Sequence, residues 1–183
     1  MKRLFTRLVP TLMLALTAVM LAPAPAQAQV LTISDPWDRG KFRADISAVK
    51  VTHGPKNLFV RMKFFPRVGN VNVTEAWIDT RAGNPGPEFV LSRNDLYPRF
   101  LGVYRVDRWD FKGSHARDCE KAGARIDDGD VLLQVPRSCL RIRGVAPHRV
   151  RVTAHAYDEQ FVHRTEDWAP GERHFGRRFV RAG

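Results

Sequence analysis

The fold is decided by ISAVKVTHGPKNLFVRMKFF, residues 46–65. Apolar and polar side chains alternate through it with the two-residue period of a half-buried strand, and Gly54-Pro55-Lys56 interrupts the pattern as a hairpin loop. Folded about that loop, His53 faces Leu58, Val51 faces Val60 and Val49 faces Met62, so one face is almost entirely apolar. The other face sets Lys50 opposite Arg61, Thr52 opposite Phe59 and Ala48 opposite Lys63. Two directly opposed bases repel unless an acid or a bound anion lies between them. The expected remedy is an acid from a neighbouring strand, Glu75 or Asp79. The alternative is an anion-binding sheet face that includes Lys50, Arg61 and Lys63.

The same period recurs along the chain. Strands are expected at Val30–Ser34, Val71–Thr80, Glu88–Ser92, Phe100–Val106, Asp130–Val135, His148–Tyr157 and His174–Val180. Turn residues punctuate them in RAGNPGP, DDGD, RGVAP and APGE, and no helical apolar face appears after the first residues. Many short strands without helical crossovers imply an all-β chain, a single antiparallel β-sandwich of jelly-roll-like layout.

Both cysteines fall in DCEKAGARIDDGDVLLQVPRSC, residues 118–139. Asp128-Gly129 is a two-residue type I′ turn signal, and mirroring about it places Asp127 opposite Asp130 and Cys119 opposite residue 138. Cys139 is one position away, so the sulfurs meet at the open end of a hairpin and form a structural disulfide. A redox pair usually has closer spacing and a zinc site needs more ligands. The acidic run reads as turn chemistry. Calcium, which needs six or more oxygens, is the weaker reading of these acids and of Asp35, Asp38 and Asp45, and no cofactor is expected.

At the N-terminus, Lys2, Arg3 and Arg7 precede the apolar run 8–22 and the small-x-small site at Ala26-Gln27-Ala28. This pattern predicts a signal peptide over residues 1–28, cleavage between Ala28 and Gln29, and a secreted domain over 29–183 with no membrane span. A domain of that size buries roughly 70% of its unfolded surface, enough for one core. The mature chain has 27 bases against 19 acids, a net charge of +8. Export directs such charge toward envelope polymers rather than nucleic acid.

Chemistry is harder to locate. The chain lacks G-x-S-x-G, H-E-x-x-H and phosphate-binding loops, and its six histidines are scattered. His155 sits on the outward phase of its strand beside Arg151, Thr153 and Tyr157, and His53 at a hairpin end. Both are expected to be surface or strand-end residues. Asp79 and Glu88 are the least implausible glycosidase pair, with loop structure the preferred account. Trp77 is expected in the core or at a sheet edge. Trp37 and Trp168, read as loop residues, are the candidates for stacking on sugar rings.

Several segments together resemble a family of uncharacterised secreted actinobacterial β-sandwich proteins. They are the Asp-Pro opening before ADISAVKVTH, AWIDT with PGPEF, VPRSCL after an earlier cysteine, HRVRV, and DWAPG before a Phe-rich end. The resemblance implies one sandwich domain with a disulfide and implies no activity. The basic turn Asp38-Arg39-Gly40-Lys41 departs from the acidic turn of that family. More distantly, residues 45–64 resemble the first hairpin of family 9 carbohydrate-binding modules and DOMON-like sandwiches, a likeness of fold alone. The resulting expectation is a secreted, monomeric, non-catalytic binding module for a cell-envelope polysaccharide or anionic polymer. Its rivals are an extracellular hydrolase acting on glycans and a structural or inhibitory protein-interaction domain.

Overall fold

A computed structural model describes residues 27–37, 44–65, 71–96, 100–158 and 165–183. The bulk of the expected signal peptide, residues 1–26, and the basic turn at 38–41 lie outside the described residues.

The alternation in residues 46–65 becomes strands β2 (Ile46–His53) and β3 (Asn57–Phe64), paired in the register the residue pattern implies: Val49 with Met62, Lys50 with Arg61, Val51 with Val60, His53 with Leu58. β1 (Gln29–Ser34) adds to one side of this hairpin. On the other side lies the cysteine hairpin, β8 (Gly123–Asp127) and β9 (Asp130–Pro136), giving a five-stranded antiparallel sheet of order β1-β2-β3-β9-β8. The second sheet is built around a meander of β4 (Val73–Asp79), β5 (Phe89–Asn94), β6 (Phe100–Asp107) and β7 (Asp110–Arg117). β10 (Arg149–Asp158) returns to pair with β4, β11 (Thr165–Ala169) lies outside it, and the short β12 (Val180–Arg181) also pairs with β10.

The two sheets share one core. Val49, Val51, Leu58, Val60 and Met62 from the small sheet join Ala76, Ile78, Phe89, Leu91, Val152 and Ala154 from the large one in a single buried cluster. Each fully buried aliphatic side chain there contributes roughly 1.5–3 kcal/mol relative to exposure, which makes this layer the main source of stability. Asp167 crosses between the sheets, accepting a hydrogen bond from the Ile46 N–H at 2.8 Å. The layout is an antiparallel sandwich.

The disulfide forms where the hairpin geometry places it. Asp128 and Gly129 both take positive φ, 51° and 79°, as a type I′ turn demands. Asp127 pairs with Asp130 in the ladder, and Cys119 bonds Cys139 with their Cα atoms 5.8 Å apart. Cys139 belongs to a single 3-10 turn, Arg137–Leu140, that follows β9 and absorbs the one-residue mismatch. No helix among the described residues is long and apolar enough to cross a membrane.

Three expectations need correction. The stretch 174–180 is not a strand. Only Val180–Arg181 pairs, and the residues before it run irregularly across the large sheet. Strands β7 and β11 were not expected. β7, DFKGSHAR, has no apolar face because it is an exposed edge strand, where Lys112 and Arg117 discourage pairing with other chains. Trp168 lies in β11 rather than in a loop.

Candidate functional site

The outward face of the large sheet carries a layer of rings and buried polar groups. Strand pairing lines its residues up in rows. One row runs Trp168, His155, Glu75, Ser92, Gly102 across β11, β10, β4, β5 and β6. The next runs Thr153, Trp77, Val90, Tyr104, Ala116. The small residues at the Ser92–Gly102 end lower the floor. A Cβ on Gly102 would fall 2.7–2.9 Å from the Tyr104 ring, so glycine is required for that ring to fold back toward Phe100. The rows thereby form a trough of about 530 Å3.

Three tryptophans build its wall. Trp77, mid-sheet on β4, has its ring 5.6 Å from Trp109 and 5.9 Å from Trp168. Trp109 comes from the tight β6–β7 turn and also stacks on Phe175 at 4.9 Å. The β4–β5 loop packs against that turn through Gly86, whose φ of +97° and 2.8 Å approach of its missing Cβ to the Arg108 backbone leave no room for a side chain. Phe111 meets Trp77 edge-on and Tyr104 at 5.0 Å. Trp77 is therefore buried in a core, as expected, but not in the one between the sheets. It is buried in a second cluster with Val90 and Val106 on the opposite face of a central strand.

Beneath the rings lies a polar line. Glu75 is buried and accepts hydrogen bonds from Trp77 Nε1 (3.0 Å) and Ser92 Oγ (3.3 Å). His155 Nδ1 lies 2.9 Å from the same carboxylate, and its Nε2 lies 3.2 Å from Glu166 Oε2. An imidazolium donates to both carboxylates, whereas a neutral ring donates to only one. Trp168 covers His155 face to face, with centroids 3.8 Å apart and planes 13° apart. The outward phase of His155 is as the sequence implies, but this cover makes it a buried residue, 3% exposed, rather than a surface histidine.

Other candidate residues are placed differently. Trp37 follows β1 and is 58% exposed, while Trp168 joins Trp77 and Trp109. Ala28 and Gln29 stand at the start of β1, with Gln29 opposite His53. His53 ends its strand as expected, but it is fully buried and its Nδ1 bonds the Val180 carbonyl at 3.1 Å. Burial lowers its pKa, reinforced by nearby Arg137 and His148 and opposed by the Val180 hydrogen bond.

Lys50, Arg61 and Lys63 occupy the outward face of the small sheet, away from the trough. The acids that answer Arg61 are Asp130 and Asp127, each 3.3 Å away, not Glu75 or Asp79. The reason is topological: β9 pairs with β3, whereas β4 belongs to the other sheet. The acidic run of the hairpin thus faces the crowded bases, and the Asp130 hydrogen bond holds the Arg61 pKa above its ordinary value.

Asp79 and Glu88 serve the β4–β5 loop. Glu88 accepts from the Thr80 N–H and hydroxyl, Arg81 Nε and Asn84 Nδ2. Asp79 pairs with Arg151 and accepts from the Arg81 N–H, while its burial pushes its pKa up.

No family model matches the chain, and no curated protein or solved structure matches it either.

Proposed function

We propose that this protein is an exported, non-catalytic binding module for a cell-envelope glycan, and that the sugar lies in the trough on the large sheet. The observation that carries this reading is the ring-walled trough with hydrogen-bonding groups in its floor. Flat rings offer apolar faces to sugar C–H groups, and Glu166 and Tyr157 add a carboxylate and a phenol to the same lining. The disulfide supports an oxidising compartment. Among the described residues the lining mixes Glu75, Asp110, Glu166 and Glu172 with Lys112 and Arg173, which favours a glycan over a polyanion at this site. The glycan reading rests on the trough and not on the resemblance to family 9 modules.

Retention on purified cell wall, measured at low and high salt, tests it. Ring stacking predicts retention that survives high salt, because screening weakens only the exposed charges. Trp109→Ala is expected to weaken binding about tenfold or more. Loss of retention at high salt, or full affinity in Trp109→Ala, rejects this site.

One feature favours a second reading, a glycan hydrolase: Glu75 and Glu166 bracket His155. The binding reading is preferred because Glu75 is buried and its carboxylate is already engaged by Trp77, Ser92 and His155. Release of new reducing ends that disappears in Glu166→Gln would establish the hydrolase instead.

A further inference from the structure

A second cavity, about 470 Å3, opens at the rim of the sandwich between the β4–β5 loop and the segment joining the 3-10 turn to β10. Its base is apolar, with Leu140 and Pro147 buried, and its wall continues through Ile142 and Val145, the latter 63% exposed. Among the described residues its lining carries three arginines, Arg81, Arg143 and Arg149, beside His148, and no carboxylate.

Three of these groups are positioned by their surroundings. Arg81 is held by Glu88 at 3.1 Å. The Arg149 guanidinium lies over the Phe179 ring, 4.8 Å from its centroid. Arg143 sits at the tip of a two-residue turn, where Ile142 and Val145 exchange backbone hydrogen bonds at 3.1 Å. Its φ of +50° costs roughly 1–2 kcal/mol for a residue other than glycine, a cost Asn or Asp would reduce. An arginine in that conformation lines the cavity together with Arg81 and Arg149. Like charges gathered on an apolar depression are an arrangement that a ligand with a negative head and an aliphatic tail would relieve.

We propose that this cavity binds an anionic amphiphile, with Arg143 and Arg149 holding its carboxylate or phosphate head and Ile142, Val145 and Leu140 covering its alkyl tail. Guanidinium groups suit either head because both present two oxygens to the planar fork. The apolar base argues against a bare anion, and the concave, local shape against a long polyanion. The site is distinct from the trough and does not depend on glycan binding there.

Calorimetric titration of the full protein with dodecanoate, dodecyl phosphate, dodecanol and inorganic phosphate, each below its micellar concentration where one exists, tests the proposal. At least one of the two charged amphiphiles is expected to bind with one-to-one stoichiometry, and which of them does so identifies the head group. Dodecanol and phosphate are each expected to bind at least about tenfold more weakly. Arg143→Asp, which suits the left-handed turn and reverses the charge, is expected to weaken amphiphile binding about tenfold. Equal binding of dodecanol would show that charge is irrelevant, equal binding of phosphate that the tail is, and failure of both amphiphiles to bind would end the proposal. Unchanged affinity in Arg143→Asp would overturn it as well. If that variant does not fold, Val145→Asp at an exposed position is expected to give a similar loss, and wild-type affinity there has the same meaning.

Discussion

The two outward sheet faces of this sandwich are built on opposite plans. The small sheet turns Lys50, Thr52, Phe59, Arg61 and Lys63 toward water, and its one charge conflict is settled by two aspartates on the adjoining hairpin. The large sheet hides its outward face. β4 is buried along its whole length, its inward residues in the core and its outward Glu75 and Trp77 under Trp109, Trp168 and their neighbours. A sheet that needs only one buried face for stability has been given a second one, made of rings and paired polar groups. The proposed glycan site rests on that extra layer rather than on the net charge of the chain.

The contrast can be broken from its strongest point downward. Trp77→Ala removes the centre of the second cluster and leaves Glu75 short of a donor. It is expected to cost about 3–5 kcal/mol in chemical denaturation, and a cost below about 1 kcal/mol would mean that the layer is only a covering. Replacing Cys119 and Cys139 together by serine removes a staple that packs on the shared core and leaves the ring layer untouched. About 3 kcal/mol of stability should be lost, while glycan affinity measured below the melting transition stays unchanged.

A smaller effect follows from His53, whose pKa is lowered in the folded state. Below its unfolded value of about 6.5 the unfolded chain binds more protons than the folded one, so stability is full above that pH. It declines as pH falls toward the folded pKa. Denaturation midpoints collected across this range should show that slope, and it should flatten in His53→Asn. The smallest effect belongs to Arg61→Ala. This partly exposed side chain pairs with partners of which Asp127 is itself exposed, so the expected loss is at most about 1 kcal/mol, with no change in glycan retention.

What the sequence discloses follows the same division. Both hairpins of the small sheet are legible in register, because their alternation is clean, the Asp-Gly turn has one preferred geometry, and the cysteine positions follow from mirroring about that turn. The pairing of β3 with β9, which brings Asp127 and Asp130 to Arg61, is not. Nor is the large sheet's outward face. Glu75 and Trp77 alternate with Ala76 and Ile78, so β4 is apolar on its inward phase while its outward phase looks merely mixed. Only the pairing of β4 with β10, strands far apart along the chain, brings Glu75 to His155, and a single sequence does not reveal that neighbour. Trp109 and Phe111 lie in a stretch without a strand pattern, and Glu166 and Trp168 in a strand too short to stand out. The one readable signal was a run of outward aromatic and ionisable residues on two strands, His155-Ala156-Tyr157 and Glu75-Ala76-Trp77. It marks a covered face only once both strands are known to be adjacent.

The irregular segment before β12 gives this arrangement a vulnerability. Phe175 braces Trp109, Phe179 seats under Arg149 and Arg151, and Arg177 and Arg178 between them are exposed. A trypsin-like protease reaching that dibasic pair would leave every strand of the small sheet intact. It would nonetheless sever the link between Phe175 and Phe179, the rings that back Trp109 in the trough and Arg149 in the cationic cavity. One clip is therefore expected to disarm both proposed ligand sites of a molecule that still melts as a folded sandwich.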